Sequence, residues 1–193
     1  MHSICLLWSS TSRKPPEAVA KNVQLNGSLA EWVVELTDAL RIRLVRHAPG
    51  APGLRWLGIG PCFLPTRGLL KLQRLFRKHA FWAQKRSVGD LRRMLKGSTV
   101  VVSLWRGKRL VGFGRANSDG IYRAVLWDIV VAGDLQGRGL GRKVVEALLE
   151  SPALQDVERL YLMTTNSASF YHQIGFNNAD PQQLLIRKSN TSG

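Results

Sequence analysis

Seven consecutive residues, Gln136-Gly137-Arg138-Gly139-Leu140-Gly141-Arg142, place three glycines at alternate positions between an apolar strand-like run and a helix-like run. Glycine keeps side chains out of a turn and lets the backbone approach a ligand. The free amides at the start of the following helix then point at an anion. Arg138, Arg142 and Lys143 add positive charge, so the segment suits a pyrophosphate; it would also serve as a tight strand-to-helix turn with exposed arginines. Two common phosphate patterns do not fit. A P-loop needs Gly followed by Lys and Ser or Thr, and here Arg142, Lys143 and Val144 follow Gly141. A dinucleotide fingerprint needs its last two glycines three apart and an acid closing the next strand. Gly139 and Gly141 are two apart, and the next apolar run ends at Met163–Thr164. ATPase and nicotinamide chemistry are set aside.

Asp128 is the one acid in the apolar run Val125–Val131. A carboxylate on a central strand is costly unless paired or functional. Three roles are open to it: a proton acceptor for an incoming ammonium, an anchor for a substrate cation, or a structural partner for an arginine or a backbone amide. Strict alternation would put Leu126, Asp128 and Val130 on one face and Trp127, Ile129 and Val131 on the other. Tyr171, on a short amphipathic stretch, is a half-buried core tyrosine on its pattern alone. His172 is adjacent to it and points about 100° away on a helix. His47 and His79 have no companions at ligand spacing. Trp82, Trp105 and Trp127 read as core or channel walls.

These residues need a scaffold, and 193 residues with 45% hydrophobic content supply one ordinary domain. Helical spacing of Leu69, Leu72, Leu75, Phe76 and Ala80 predicts a helix from Thr66, and Ser87 is placed to cap a second one that ends before Gly97. Thr99–Trp105 and Leu110–Ala116 read as a hairpin around Gly107, and Arg123–Val131 as a third strand. A helix at Lys143–Glu150 stopped by Pro152, a strand at Arg159–Thr164, a helix at Ser167–Ile174 closed by Gly175 and a final strand at Leu184–Arg187 complete an α/β pattern with a mixed sheet. Leu54–Ile59 suggests a further short strand. Residues 1–50, polar and proline-bearing in parts, read as an N-terminal extension in which Ser28–Val45 passes from helix to strand; the domain itself is expected over 54–190.

Composition limits the setting. No run approaches eighteen uncharged apolar residues, so no membrane span is expected. Met1–Ser10 lacks the basic prelude of a secretory signal. Cys5 and Cys62 share no metal or redox spacing, so neither a metal site nor a disulfide framework is expected, and a cytoplasmic setting is. The formal net charge is +15, and residues 1–97 carry 17 basic and 5 acidic residues against 11 and 8 in 98–193. Such a front half can attract nucleic acid, ribosomes, an anionic membrane or an anionic cofactor.

Trp127–Lys143, WDIVVAGDLQGRGLGRK, resembles the cofactor segment of the GCN5-related N-acetyltransferase superfamily, with Gln136, Gly139 and Gly141 at its pattern positions. Downstream, Ser169–Phe176, SFYHQIGF, is similar to the family's Phe/Leu-Tyr-x-x-x-Gly-Phe helix, and the two motifs stand in family order. The wording from Phe81 to Ala116 also resembles cyanobacterial and plastid members, including the plastid open-reading-frame-52 type. The resemblance implies a mostly antiparallel central sheet flanked by helices, with two parallel strands, Leu126–Val131 and Leu160–Thr164, splaying around acetyl-coenzyme A. It implies amides of Gln136, Gly137, Arg138, Gly139, Leu140, Gly141 and Arg142 around the pyrophosphate. A backbone N–H near Ile129 or Val130, on the strand ending at Val131, would meet the acetyl carbonyl. It implies Tyr171 as proton donor to the departing thiolate, and Asn166 as either a helix cap or a coenzyme A contact.

The expected reaction is acetyl transfer to a primary amine by direct attack, the acceptor being a protein lysine, a protein N-terminus or a small aromatic amine. The alternatives are a basic nucleic-acid or ribosome-binding module using the Arg/Lys face of residues 66–79, and a family member that binds coenzyme A without catalysis. Monomer and homodimer are both open.

Overall fold

The computed structural model describes residues 41–51, 54, 65–180 and 182–187. Its sheet has five strands in chain order: β1 Ile42–His47, β2 Val100–Arg106, β3 Arg109–Ser118, β4 Arg123–Val131 and β5 Arg159–Leu162. The first three pairings are antiparallel and β4–β5 is parallel. This is the mixed, mostly antiparallel sheet the sequence predicts. β2 and β3 meet through a two-residue turn in which Gly107, at φ +52°, supplies the left-handed conformation that a tight hairpin needs.

Helices cover both faces. On one lie α1, Pro65–His79, and α2, Val88–Lys96. Leu69, Leu72, Leu75 and Phe76 of α1 are buried, while Arg67, Arg74, Arg77 and Lys78 are exposed, so the basic residues are the solvated side of an ordinary amphipathic helix. Phe76 meets Phe113 of β3 edge to face at 5.5 Å. Ser87 caps α2: its Oγ accepts from the Asp90 amide at 3.1 Å. On the other face lies α3, Leu140–Leu149, with Val144, Val145, Ala147 and Leu148 buried. A Cβ at Gly114 would stand 2.5 Å from Val144 Cγ1, so this glycine is what lets α3 lie close on β3. A short α4, Pro152–Gln155, and α5, Ala168–His172, flank β5 in sequence.

Several expectations are corrected. β1 falls within the 1–50 stretch read as an extension, yet its six residues pair with β2 at the sheet edge. All described residues belong to one unit running from Asp38 onward. Leu184–Arg187 is not a strand: Leu184, Leu185 and Ile186 are 65%, 86% and 75% exposed and join no ladder among the described residues. Apolar character alone does not make a strand without a partner edge. α3 begins at Leu140 rather than Lys143, because Gly139 already occupies its N-cap. Pro152 does more than stop α3; it sits in the first turn of α4, where its missing N–H costs nothing. Of Leu54–Ile59 only Leu54 is described, and the helical part expected over Ser28–Val45 lies outside the described residues.

Candidate functional site

β4 and β5 pair only from Arg123↔Arg159 to Leu126↔Leu162. β5 then ends, while β4 runs five residues further to Val131. Along Trp127–Val131 the edge of β4 that faces away from β3 is therefore left without a strand partner among the described residues. Ile129, Val130 and Val131 lie on this unpaired stretch.

The same stretch of β4 carries a bulge. Arg115 pairs with Trp127 and Phe113 with Val130, so the single residue Gly114 faces both Asp128 and Ile129. Asp128 takes φ +55°, an uncommon conformation for a residue with a Cβ. The extra residue overturns the expected alternation. Leu126, opposite Ala116, and Val130, opposite Phe113, lie on different faces of the sheet, because Ala116 and Phe113 do.

The glycine segment is held from several sides. Ala132 and Leu135 are buried, and Ala132 N–H donates to Val111 O at 2.8 Å. Arg109 grips Asp134 through two nitrogens at 2.6 and 2.8 Å, and this hydrogen bonding holds the Asp134 carboxyl down to about 2. His79, the last residue of α1, accepts from the Gly133 amide at 3.2 Å. Gln136 is exposed, and its Nε2 donates to Val131 O at 3.2 Å and ties the loop to the strand end. Gly137 and Gly139 have φ of +73° and +74°, and a Cβ on either would meet nothing within 4 Å. Their need for glycine is conformational, and the space above them is open. The N-terminus of α3 has no side-chain cap and no acid in its first turn. Its amides remain available, as an anion site requires, with the exposed Arg138 and Lys143 nearby in the chain. The residues present fit a pyrophosphate.

Tyr171 is joined to this segment through its neighbours. A Cβ on Gly141 would lie 3.4 Å from Phe170 Cζ, so α5 packs on the first turn of α3. Arg142 donates to Gln173 O at 3.4 Å. Tyr171 is half-buried between Phe170 and Phe176, with ring centroids at 4.9 and 6.0 Å. Burial pushes its phenol above the usual range, which keeps it protonated at neutral pH. Among the described residues its hydroxyl has no hydrogen-bond partner. Asn166 does not cap α5, whose N-cap is Ser167; it is exposed and accepts from Ser167 Oγ at 3.5 Å. His172 is occupied by Phe176 O at 2.8 Å.

Asp128 lies on the α1–α2 side of the sheet, among Trp82, Arg86 and Arg115. Its side chain is 3% exposed. Oδ2 receives Arg115 Nε at 2.7 Å and Arg86 Nη1 at 2.9 Å, and Oδ1 receives Trp82 Nε1 at 3.2 Å. Burial works to raise its pKa, but the two guanidiniums outweigh it and leave the carboxyl below the usual carboxylate range. Arg115 also stacks on Trp127 at 5.8 Å and donates to Asn117 Oδ1 at 2.8 Å.

Beside this carboxylate, across Trp82, Arg86 and Arg115, lies an open pocket of about 460 Å³ lined by Trp82, Lys85, Arg86, Asp90, Met94 and Arg115. Sequence reading named Trp82 as a channel wall but missed Arg86 and Arg115. The signal was present for one of them: Arg115 is the lone charge within the strand Leu110–Ala116. Arg86 carries no such mark, since it follows Lys85 in a polar turn. Among the described residues no cluster of three His, Cys, Asp or Glu could hold a metal ion, and no helix is long and apolar enough to cross a membrane.

"Uncharacterized N-acetyltransferase ycf52" of Pyropia yezoensis is 35% identical over 97 residues, covering 48% of this chain and 56% of that protein. "Histone acetyltransferase TAP1" of Glycine max is 33% identical over 112 residues, covering 52% and 48% respectively. The chain thus spans about half the length of the curated relatives it matches. A GNAT family acetyltransferase structure from Streptococcus pneumoniae TIGR4 superposes with a TM-score of 0.58 at 17% identity, over 78% of this chain and 99% of that one, a likeness of fold. Residues 69–176, more than half of the chain and inclusive of the bulged strand, the glycine segment and Tyr171, match the acetyltransferase (GNAT) family, and the chain belongs to that family.

Proposed function

We propose that the protein transfers an acetyl group from acetyl-coenzyme A to a primary amine by direct attack, with the cofactor in the cleft between β4 and β5. The observation that carries this reading is the coincidence of three features at one end of the sheet: parted parallel strands, an uncapped helix N-terminus reached through left-handed glycines, and a protonated tyrosine packed beside that helix. When bound, acetyl-coenzyme A supplies an activated acyl group on a thiol leaving group. The amides of residues 137–142 bind its pyrophosphate, helped by Arg138 and Arg142, while Gln136 fixes the loop to Val131. The exposed backbone edge at Ile129 or Val130 donates a hydrogen bond to the acetyl oxygen and stabilises charge there as the amine adds. Tyr171, kept neutral by burial, gives its proton to the thiolate as it leaves.

Asp128 is the residue on which this reading departs from a proton-acceptor role. A carboxylate bonded to two guanidiniums and an indole N–H, with its pKa depressed, is a weak base at neutral pH. Its fitting task is to hold the bulge that turns the backbone of Ile129 and Val130 toward the cleft. The amine's proton then leaves to water.

Calorimetry with acetyl-coenzyme A, paired with intact-mass turnover across aromatic amines, polyamines and lysine peptides, tests the proposal. Gly139→Val forces a β-branched residue to φ +74° and should abolish saturable binding in a folded protein. Tyr171→Phe should retain binding and lose roughly 10- to 1000-fold in turnover. Unchanged affinity in the first variant, or unchanged chemistry in the second, would remove the corresponding assignment.

A further inference from the structure

The cavity beside Asp128 has a charge balance that specifies its occupant. Arg86 and Arg115 converge on one carboxylate oxygen, so two positive charges are met by one negative charge. Each guanidinium has five N–H donors. Asp128 uses one from each, Asn117 another from Arg115, and Met94 Sδ a weak one from Arg86 at 3.5 Å. Lys85, exposed at the rim, adds a third cation. Asp90, the one acid of the lining, is committed to Arg93 at 2.5 Å and to Ser87 at 2.6 Å. The polar wall is therefore cationic, with donors left over. Trp82, 49% exposed with its N–H turned down to Asp128, and Met94 form the apolar part.

We infer that the acceptor is an aromatic amine that also carries a carboxylate, its ring against Trp82 and its carboxylate on Lys85, Arg86 and Arg115. The inference rests on the acetyltransferase reading and specifies the substrate class of that site. An anion answers the surplus donors with charge-assisted hydrogen bonds, and an aromatic ring answers the exposed indole. The amine, at the other end of the ring, is left to face the β4 bulge. The same balance disfavours polycationic acceptors: a lysine-rich tail would bring positive charge onto two arginines and a lysine, while the neighbouring acids among the described residues, Asp128 and Asp90, are already engaged.

Matched probes isolate the anion. 2-Phenylethylamine and 4-(2-aminoethyl)benzoate present the same amine on the same ring and differ in the carboxylate. The full chain with acetyl-coenzyme A should acetylate the benzoate with a KM at least about tenfold lower, and the difference should shrink as salt is raised. Lys85→Glu, at an exposed position where folding is not at stake, should collapse the ratio of the two KM values. Equal KM values, or a preference for the uncharged ring, would overturn the inference. If neither amine turns over while a polyamine or lysine peptide does, the inference is overturned and the acetyltransferase reading stands; if none of these amines turns over, that reading fails on its own account. Calorimetric binding of the two amines to the wild-type protein then decides the pocket: tighter binding of the benzoate, lost in Lys85→Glu, supports an anion site, and equal binding refutes it.

Discussion

Asp128 illustrates how little a residue type fixes before its neighbours are known. In the sequence it is an acid in an apolar run, open to three roles. In the structure it is a buried anion with three donors on it and a left-handed backbone. Asp128→Asn keeps the shape but leaves two guanidiniums facing a neutral amide. Loss of one partner from a buried ion pair costs roughly 3 kcal/mol, here moderated because Arg86 is 31% exposed. A lowered melting temperature without any ligand is expected. So is a loss of turnover that high pH does not restore, because the defect lies in geometry and not in proton removal. A pH–rate profile together with a melting curve checks this: rescue of the variant at high pH with unchanged melting would return Asp128 to the role of base. The residues singled out from sequence, Gln136, Gly139, Gly141 and Tyr171, are those whose spacing is local. Arg86 and Arg115 were not, since 29 positions separate them in the chain and only the fold brings both to Asp128.

At the scale of elements, local pattern carried the helices and the hairpin well. Leu69, Leu72, Leu75 and Phe76 have one face to bury, and Ser87 has one helix start to cap. It failed where pairing decides: at Leu184–Ile186, which has strand composition and no ladder, and at β4, where one extra residue reverses the faces. β1 overlaps the strand expected at the end of Ser28–Val45, in a stretch read as an extension, and it is pinned from within. Trp105 Nε1 donates to Ser103 Oγ at 2.8 Å, and Ser103 Oγ lies 2.7 Å from His47 Nε2 on β1. The Ser103 hydroxyl thus links the buried indole to the His47 ring. Burial lowers the His47 pKa from 6.5 to about 4. The neutral form is therefore the folded form. Its contribution is fully present above about pH 6.5 and is lost as pH falls toward 4, because the unfolded chain takes up a proton that the folded chain refuses. Denaturant titrations of the wild type between pH 7.5 and 4 should show a steeper loss than those of His47→Gln. Parallel curves would mean that His47 is not buried neutral.

For the molecule as a whole, the question is where the domain begins. Reading from composition, a start at residue 54 leaves the family motifs intact. The structure gives a different boundary its reason. β1 covers the outer edge of β2, whose sequence Val-Val-Val-Ser-Leu-Trp-Arg is β-prone and largely buried. An uncovered edge of that kind offers unpaired N–H and C=O groups to any other chain. β1 also ties to the C-terminal end of α3, since Arg46 donates to Ala147 O at 3.4 Å and pairs with Glu150 at 2.6 Å. The exposed ion pair adds little energy, so the expected damage comes from the ladder. A chain starting at Asp38 should bind acetyl-coenzyme A as the full chain does, with a similar melting temperature. A chain starting at Ala51 should melt lower and self-associate, and its loss of cofactor binding should follow its loss of folding. Light scattering, thermal melting and calorimetry on the pair measure all three. If the shorter chain stays monomeric and melts with the longer one, β1 is dispensable and the domain begins at α1.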